Sequence, residues 1–371
     1  MGGEPGPVRA RRNAGRPGGA GSVVGVVGAA GGAGRLLCTR LAAARDEVRR
    51  VVAIDAERGD VDGVTWRVLD YTDPALVSRL TGCTTVVHTA VDLGVTDQPA
   101  ERSRRNVRSV QVVLTASAAA GVSRVVIVTS AMVYGAAADN PVPLPEDAPL
   151  RATEDGALLS DLLEIEALCD RAATSHPGLA VTVVRPAMLV GPGVDTVLTR
   201  HFEAPRLLVV RGSEPVWQFC HLDDLAGALK RVVLADLDGP VAVGCPGWLS
   251  QDEVEALSGR SRLELPGALA YGAAERLHRL GITPAPASEL HYVTHPWVVS
   301  ADRLQAAGWR PEYDNATAFE ALLDEISGKH AVASRRIGRR ETATLGAAGA
   351  TVAVLGTAAA VRRARRRRSG K

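Results

Sequence analysis

One short stretch near the start constrains this chain more than any other. Val23-Val-Gly-Val-Val-Gly28-Ala-Ala-Gly31-Gly-Ala-Gly34-Arg-Leu runs from an apolar β-branched segment into a helix-forming one, with glycine at every third loop position. Such a junction suits a strand that turns sharply into a helix. Gly28 permits the tight turn, Gly31 lets the backbone approach a pyrophosphate, and Gly34 lets the helix pack closely on the sheet. The free N–H groups of that helix then face the phosphates. Asp55 closes the next apolar run, 21 residues after Gly34, placed to accept hydrogen bonds from a ribose 2′-hydroxyl. An acidic side chain there repels a 2′-phosphate, so the reading is NAD rather than NADP. The plainer alternative is a structural turn followed by a solvated aspartate.

The rest of the chain repeats the strand–helix rhythm. Val23–Val27, Val51–Ile54, Thr65–Val68, Thr85–Thr89, Val125–Val128 and Val181–Val184 read as buried strands, and Ala33–Ala44, Pro74–Leu80, Arg105–Ala119 and Ala157–Ala173 as helices between them. Strands alternating with helices at this spacing predict an α/β fold, a Rossmann-type doubly wound parallel sheet. Past Gly191 proline and glycine recur among shorter segments, which predicts a smaller C-terminal substrate lobe over the strand ends. The expected organisation is a disordered arm at 1–21, an NAD-binding Rossmann domain at 22–190, and a substrate lobe at 191–329. Elements at about 216–245 return to the sheet, and a basic, Ala-rich tail occupies 330–371. Apolar residues make up 46% of the 371, enough for a sizeable core, and with only 4% aromatics its filling falls to Val, Ala and Leu.

These features resemble the extended short-chain dehydrogenase/reductase family, the NAD-dependent epimerase/dehydratase group, over about residues 22–325. Asp70, after the third strand, matches the family's adenine contact. Val86-Val-His88-Thr-Ala90 is similar to its fourth-strand HxAA motif, and Asn106 is read as opening the following helix. Val126-Ile-Val-Thr-Ser130-Ala-Met-Val-Tyr134-Gly135 looks like the SSxxxYG strand end. Arg185-Pro-Ala-Met-Leu-Val-Gly191-Pro-Gly193, Phe219-Cys-His221-Leu-Asp223-Asp224 and Gly308-Trp309-Arg310-Pro311 follow in family order. The resemblance implies NAD as cofactor, held by Gly28, Gly31, Gly34, Asp55, Asp70, Ala90 and Asn106. It also implies a sugar-type or other secondary-alcohol substrate whose oxygen Ser130 orients, and a homodimer through the long helices.

One departure bears directly on activity. In that family a tyrosine and a lysine four residues later share one helix face and do the acid–base work. This chain has three lysines, Lys230, Lys329 and Lys371, and none follows a tyrosine at that spacing. Aligned on Glu166, the two positions carry Leu158 and Leu162. Asp155, Ser160, Asp161 and Glu164 are the nearest groups for a replacement base, or else ordinary acids of a helix start. The arginine that meets the diphosphate in UDP-sugar epimerases corresponds to Trp217, and an asparagine contacting the nucleotide sugar to Met188. Arg211 reads equally as a phosphate contact or a solvated charge. Two functions therefore stay open: an atypical epimerase/dehydratase-like oxidoreductase, and a non-catalytic NAD-binding sensor or scaffold.

His88, His221, Asp223 and Asp224 lack metal-ligand spacing and read as structural or cofactor-flanking, so no metal is expected. The five cysteines form no CxxC pair, which fits buried thiols in a reducing compartment. No secretory leader is read at the N-terminus. The formal net charge is +2, but four arginines crowd Arg335–Arg340 and six Arg362–Arg368. Between them, residues 342–361 carry no charge. That segment reads as a membrane span of low apolar content, a disordered Ala-rich tail, or a basic end held to anionic lipid. No aromatic interleaving accompanies the arginines, so nucleic acid is not an expected partner. The expectation is a cytoplasmic protein, with residues 342–368 its one route to a membrane.

Overall fold

The computed structural model describes residues 21–154, 157–280, 286–327, 329, 331–332 and 335–336. The arm (apart from Gly21) and the uncharged segment 342–361 lie outside them, as does Asp155. Strands β1 (Ser22–Val27), β2 (Val48–Asp55), β3 (Thr65–Val68), β4 (Thr85–His88), β5 (Arg124–Val128) and β6 (Ala180–Pro186) join β11 (Gly239–Val243) in one sheet. Its order is β11-β6-β5-β4-β1-β2-β3, and every pairing is parallel. Alternation along β1 explains the two-sided burial. Val24 and Val26 join Leu37 and Leu41 of α1 (Gly32–Ala43) in one apolar cluster. Val23 and Val27 face the other way, into a cluster with Val110 and Val113 of α3 (Pro99–Ala119). A sheet covered on both faces needs near-continuous apolar strands, and valine supplies them.

Helix α1 packs beside α6 (Leu222–Leu234), while α2 (Leu76–Arg79), α3 and α4 (Leu158–Ser175) line up together. The C-terminal lobe is built from short pairs: β7 (Met188–Val190) with β10 (Phe219–His221), β8 (Leu207–Val210) with β13 (Arg262–Leu265), and β9 (Val216–Trp217) with β12 (Leu249–Ser250). Helices α5 (Val197–His201), α7 (Gln251–Ser258), α8 (Gly267–Arg279), α9 (Asp302–Ala306) and α10 (Asn315–Glu325) surround them. Three expectations are corrected. Helix α3 begins at Pro99, not near Arg105, so Asn106 lies inside it; proline at the first helical position costs no hydrogen bond. Strand β3 is not buried: as the sheet edge it leaves Val68 49% exposed. Strand β2 starts three residues earlier than Val51, at Val48. All five cysteines are buried free thiols.

Candidate functional site

Strands β1 and β4 sit side by side, but β2–β3 and β5–β6 run away from them in opposite directions. That reversal opens a crevice at the carboxyl ends of β1 and β4, where ligands bind in such sheets. Gly28 lies there with φ of +84°, and a methyl group on it would come within 2.7 Å of the Ala90 Cβ. A Cβ on Gly34 would stand 1.9 Å from the Gly28 carbonyl oxygen and 2.6 Å from Thr89 Oγ1. Both glycines are therefore demanded by the protein itself. Gly31 differs, because a Cβ there meets nothing within 4 Å. The space it leaves lies at the start of α1, whose N-terminus has no side-chain cap and no acid in its first turn. An uncapped helix start carries free N–H donors and about half a positive charge. These are the properties a pyrophosphate requires.

The two acids expected beside this loop are both hydrogen-bonded within the protein. Asp55 ends β2, accepting the Ala30 N–H on Oδ2 at 2.9 Å and the Ala56 N–H on Oδ1 at 2.7 Å. A carboxylate has about four acceptor positions, so these two bonds leave Asp55 capacity for further donors. Asp70 is half-exposed and accepts the amide and hydroxyl of Thr72 (both 2.9 Å) and Arg105 Nη1 (3.2 Å). Burial works against its charge, but those bonds and the Arg105 charge hold its carboxyl below the usual range. Ala90 abuts Gly28 and donates its N–H to His88 Nδ1 at 3.0 Å. Because Nδ1 accepts, the ring proton sits on Nε2, which donates to Ser109 Oγ at 2.9 Å. Burial pushes the imidazole pKa down to about 3. Both ends of the Asn106 amide are taken by the Asp92 backbone, at 2.8 and 2.9 Å. Asn106 thus shapes the β4–α3 loop.

Ser130 follows β5 and caps the 3₁₀ turn Ala131–Tyr134, its Oγ accepting the Met132 N–H at 3.2 Å. Its own proton stays available for donation. Ser130 lines a small, partly open pocket with a free volume of about 20 Å³, walled by Leu93, Met132, Leu158, Met188, Leu198 and Trp297 among others. The other polar side chains on the wall are Thr196 and Glu289. Glu289, only 6% exposed, comes from the 3₁₀ helix Ala287–Val293 in the C-terminal lobe. Tyr292 docks that helix by donating to the Met132 carbonyl at 2.7 Å. Sequence reasoning missed Glu289, since no motif or spacing marks it. Of the groups it did weigh, Asp161 faces α3 and accepts Ser103 Oγ at 2.5 Å. Glu164 is exposed, and neither Ser160 nor Asp161 lines the cavity.

Beneath Ser130 lies a buried ionic clamp. Arg185 of β6 donates from Nε and Nη2 to the two oxygens of Glu166 on α4, at 3.0 and 2.8 Å. Its Nη1 reaches the Tyr134 hydroxyl at 2.9 Å, and Thr129 donates to Glu166 at 3.0 Å. Burial opposes the guanidinium charge, but the Glu166 bonds outweigh it and hold the pKa above its ordinary value. Elsewhere, Asp224 accepts the amides of Glu312 and Tyr313, while His221 caps α6 and stacks on Tyr313 at 3.9 Å. Arg211 is exposed and pairs with Glu264 at 3.1 Å. Among the described residues no cluster of His, Cys, Asp or Glu is placed to hold a metal, and no helix is long and apolar enough to cross a membrane.

The family model described as NAD dependent epimerase/dehydratase family matches residues 24–243. The chain belongs to the NAD-dependent epimerase/dehydratase family. Membership makes NAD the cofactor, and the cradle of Gly31 and the uncapped α1 fits it. An uncharacterized protein of Mycobacterium tuberculosis strain H37Rv is 28% identical over 204 residues, 54% of each chain. The chain thus spans about half the length of the curated relatives it matches. Among solved structures, MoeE5 in complex with UDP-glucuronic acid and NAD is 23% identical with a TM-score of 0.59, over 83% of this chain and 99% of that one. Thermus thermophilus UDP-glucose 4-epimerase in complex with NAD is 20% identical with the same TM-score, over 82% and 99%. At these identities the likeness shows the fold. In this epimerase/dehydratase chain, Leu158 and Leu162 stand one turn apart on α4, 5% and 0% exposed, and Leu158 lines the Ser130 cavity.

Proposed function

We propose that the protein is an atypical NAD-dependent oxidoreductase of the epimerase/dehydratase type, acting on a secondary alcohol or its ketone. The observation that carries this reading is that Ser130 and the buried Glu289 line one small pocket. NAD, when bound, supplies a hydride acceptor for the carbinol carbon. Ser130 donates its free O–H to the substrate oxygen and orients it. Glu289 takes the hydroxyl proton as the C–H electrons leave, so a carbonyl forms; the reverse sequence returns proton and hydride. Glu289 thereby stands in for the absent tyrosine, and Leu158 keeps its surroundings dry, which favours proton transfer over solvation. A specific observation favours the second reading, a sensor or scaffold: both positions of the usual pair are apolar and packed.

Turnover decides between them. Full-length protein loaded with NAD is mixed with secondary alcohols and nucleotide sugars, and NADH formation is followed by absorbance. Wild type should form NADH with at least one class, and Glu289→Gln should slow it about 10²–10⁴-fold while leaving NAD affinity unchanged. No NADH and no converted product from any compound, with NAD demonstrably bound, would count against turnover and favour the sensor.

A further inference from the structure

We infer that Asp60 is a positioning residue for cofactor choice: by gripping Arg35 it keeps that guanidinium from a 2′-phosphate, and so adds to Asp55 in favouring NAD over NADP. The inference concerns the cofactor alone and holds for an oxidoreductase and a sensor alike. It starts from the path of the chain after β2. Beyond Asp55, the segment Ala56-Glu-Arg-Gly59-Asp60 returns against the phosphate loop. A Cβ on Gly59 would stand 2.7 and 2.9 Å from two carbons of the Trp66 ring and 3.2 Å from the Ala30 Cα. Gly59 is thus wedged between β3 and the phosphate loop, with no space for a side chain. Trp66 is itself held by donating Nε1 to the Val61 carbonyl at 3.3 Å, and it packs against the apolar cluster that includes Leu37 and Leu41 of α1. Ala30 is the residue whose amide Asp55 accepts. The wedge therefore sets the course of the loop beside the corner where Asp55 stands.

That course brings Asp60 onto α1. Arg35, which follows Gly34, donates Nε to Asp60 Oδ1 at 2.7 Å and Nη2 to Oδ2 at 2.8 Å. The side chains are 47% and 68% exposed, so the pair adds little to stability. Its effect on charge is another matter. Arg35 lies near the start of α1, whose free N–H groups already favour anions. A guanidinium fork matches a phosphate in two-point geometry, and an arginine near the end of the second strand is how such sheets accept a 2′-phosphate. Here a carboxylate occupies both positions of the fork. The Arg35 bonds in turn hold the Asp60 carboxyl below its usual range, so the blocking charge persists at neutral pH. Glu57 and Arg58, both exposed on the same loop, are opposite in charge and offset one another. With Arg35 cancelled by Asp60, the corner keeps the negative charge of Asp55.

Calorimetric titration of the full-length protein and its variants with NAD and with NADP tests this, with thermal melting to show that each variant is folded. Wild type should bind NAD more tightly than NADP. Asp60→Asn keeps the shape of the side chain, removes its charge and releases Arg35, so the NAD-over-NADP preference should fall about tenfold. Asp60→Glu still carries a carboxylate for Arg35 and should keep the wild-type preference. Arg35→Gln alone should give no gain toward NADP, and combined with Asp60→Asn it should abolish that variant's gain. An unchanged preference in Asp60→Asn overturns the inference, as does a gain that survives the loss of Arg35. Equal weakening of both nucleotides in Asp60→Asn overturns it too, because the pair would then hold the shape of the loop and play no part in selection. A wild type that binds NADP as tightly as NAD does the same.

Discussion

Asp55 serves two masters at the end of β2. Its Oδ2 pins the glycine loop through the Ala30 amide, and a carboxylate has further acceptor positions to offer a ribose. Replacing it with alanine removes one or two charge-assisted hydrogen bonds and the charge that repels a 2′-phosphate. Asp55→Ala should weaken NAD about tenfold or more, since such bonds each contribute about 1.5–3 kcal/mol, and should narrow the gap between NAD and NADP. Calorimetric titration with both nucleotides checks this. An equal loss for both would mean that the loop had collapsed and that charge played no part in selection. Residues of this kind were legible in the sequence because their constraints are local. Gly34 must be glycine to clear the Gly28 carbonyl a few residues away. Glu289 was illegible because its partners in the cavity arrive from β5, α4 and α5, and nothing near it in sequence signals them.

At the scale of elements, the clamp of Glu166 and Arg185 ties α4 to β6, and through Thr129 and Tyr134 to the turn that carries Ser130. A buried ion pair adds little net stability when formed, but breaking one partner strands the other charge. Glu166→Gln should therefore cost about 3 kcal/mol, measured by urea unfolding. The double variant Glu166→Met with Arg185→Met should cost less than either single change. If the double variant costs the sum of the singles, the two residues do not act as a pair. Helix and strand types were readable from periodicity, but their ends were not. Helix α3 gained its first turn because Pro99 is compatible with a helix start. Strand β3 reads as buried from its residues alone, and only its place at the sheet edge exposes it.

Across the whole molecule, histidines withdrawn from water couple folding to pH, His88 and His201 most strongly, with His221 and His291 shifted in the same direction. Burial lowers His88 from 6.5 to about 3 and His201 to about 4. In that window the unfolded chain binds protons that the folded one refuses, so the stability they permit is complete above pH 6.5 and is lost as pH falls. By roughly pH 5 each should have removed about 2 kcal/mol. Burial raises the carboxyl pKa of Glu146 and Asp224, which acts in the opposite sense. The melting temperature should fall between neutrality and pH 5, with proton uptake on unfolding measurable by calorimetry in buffers of different ionisation heat. A flat profile would show that the imidazoles are not held neutral. The sequence by itself determined the parallel sheet, the glycine loop, the cofactor and the lack of a Tyr–Lys pair. All of these rest on short-range sterics, a two-residue strand period and residue identity. Only the tertiary structure decided what stands around Ser130. Glu289 and Trp297 meet there through packing between distant segments, and periodicity carries no information about such meetings.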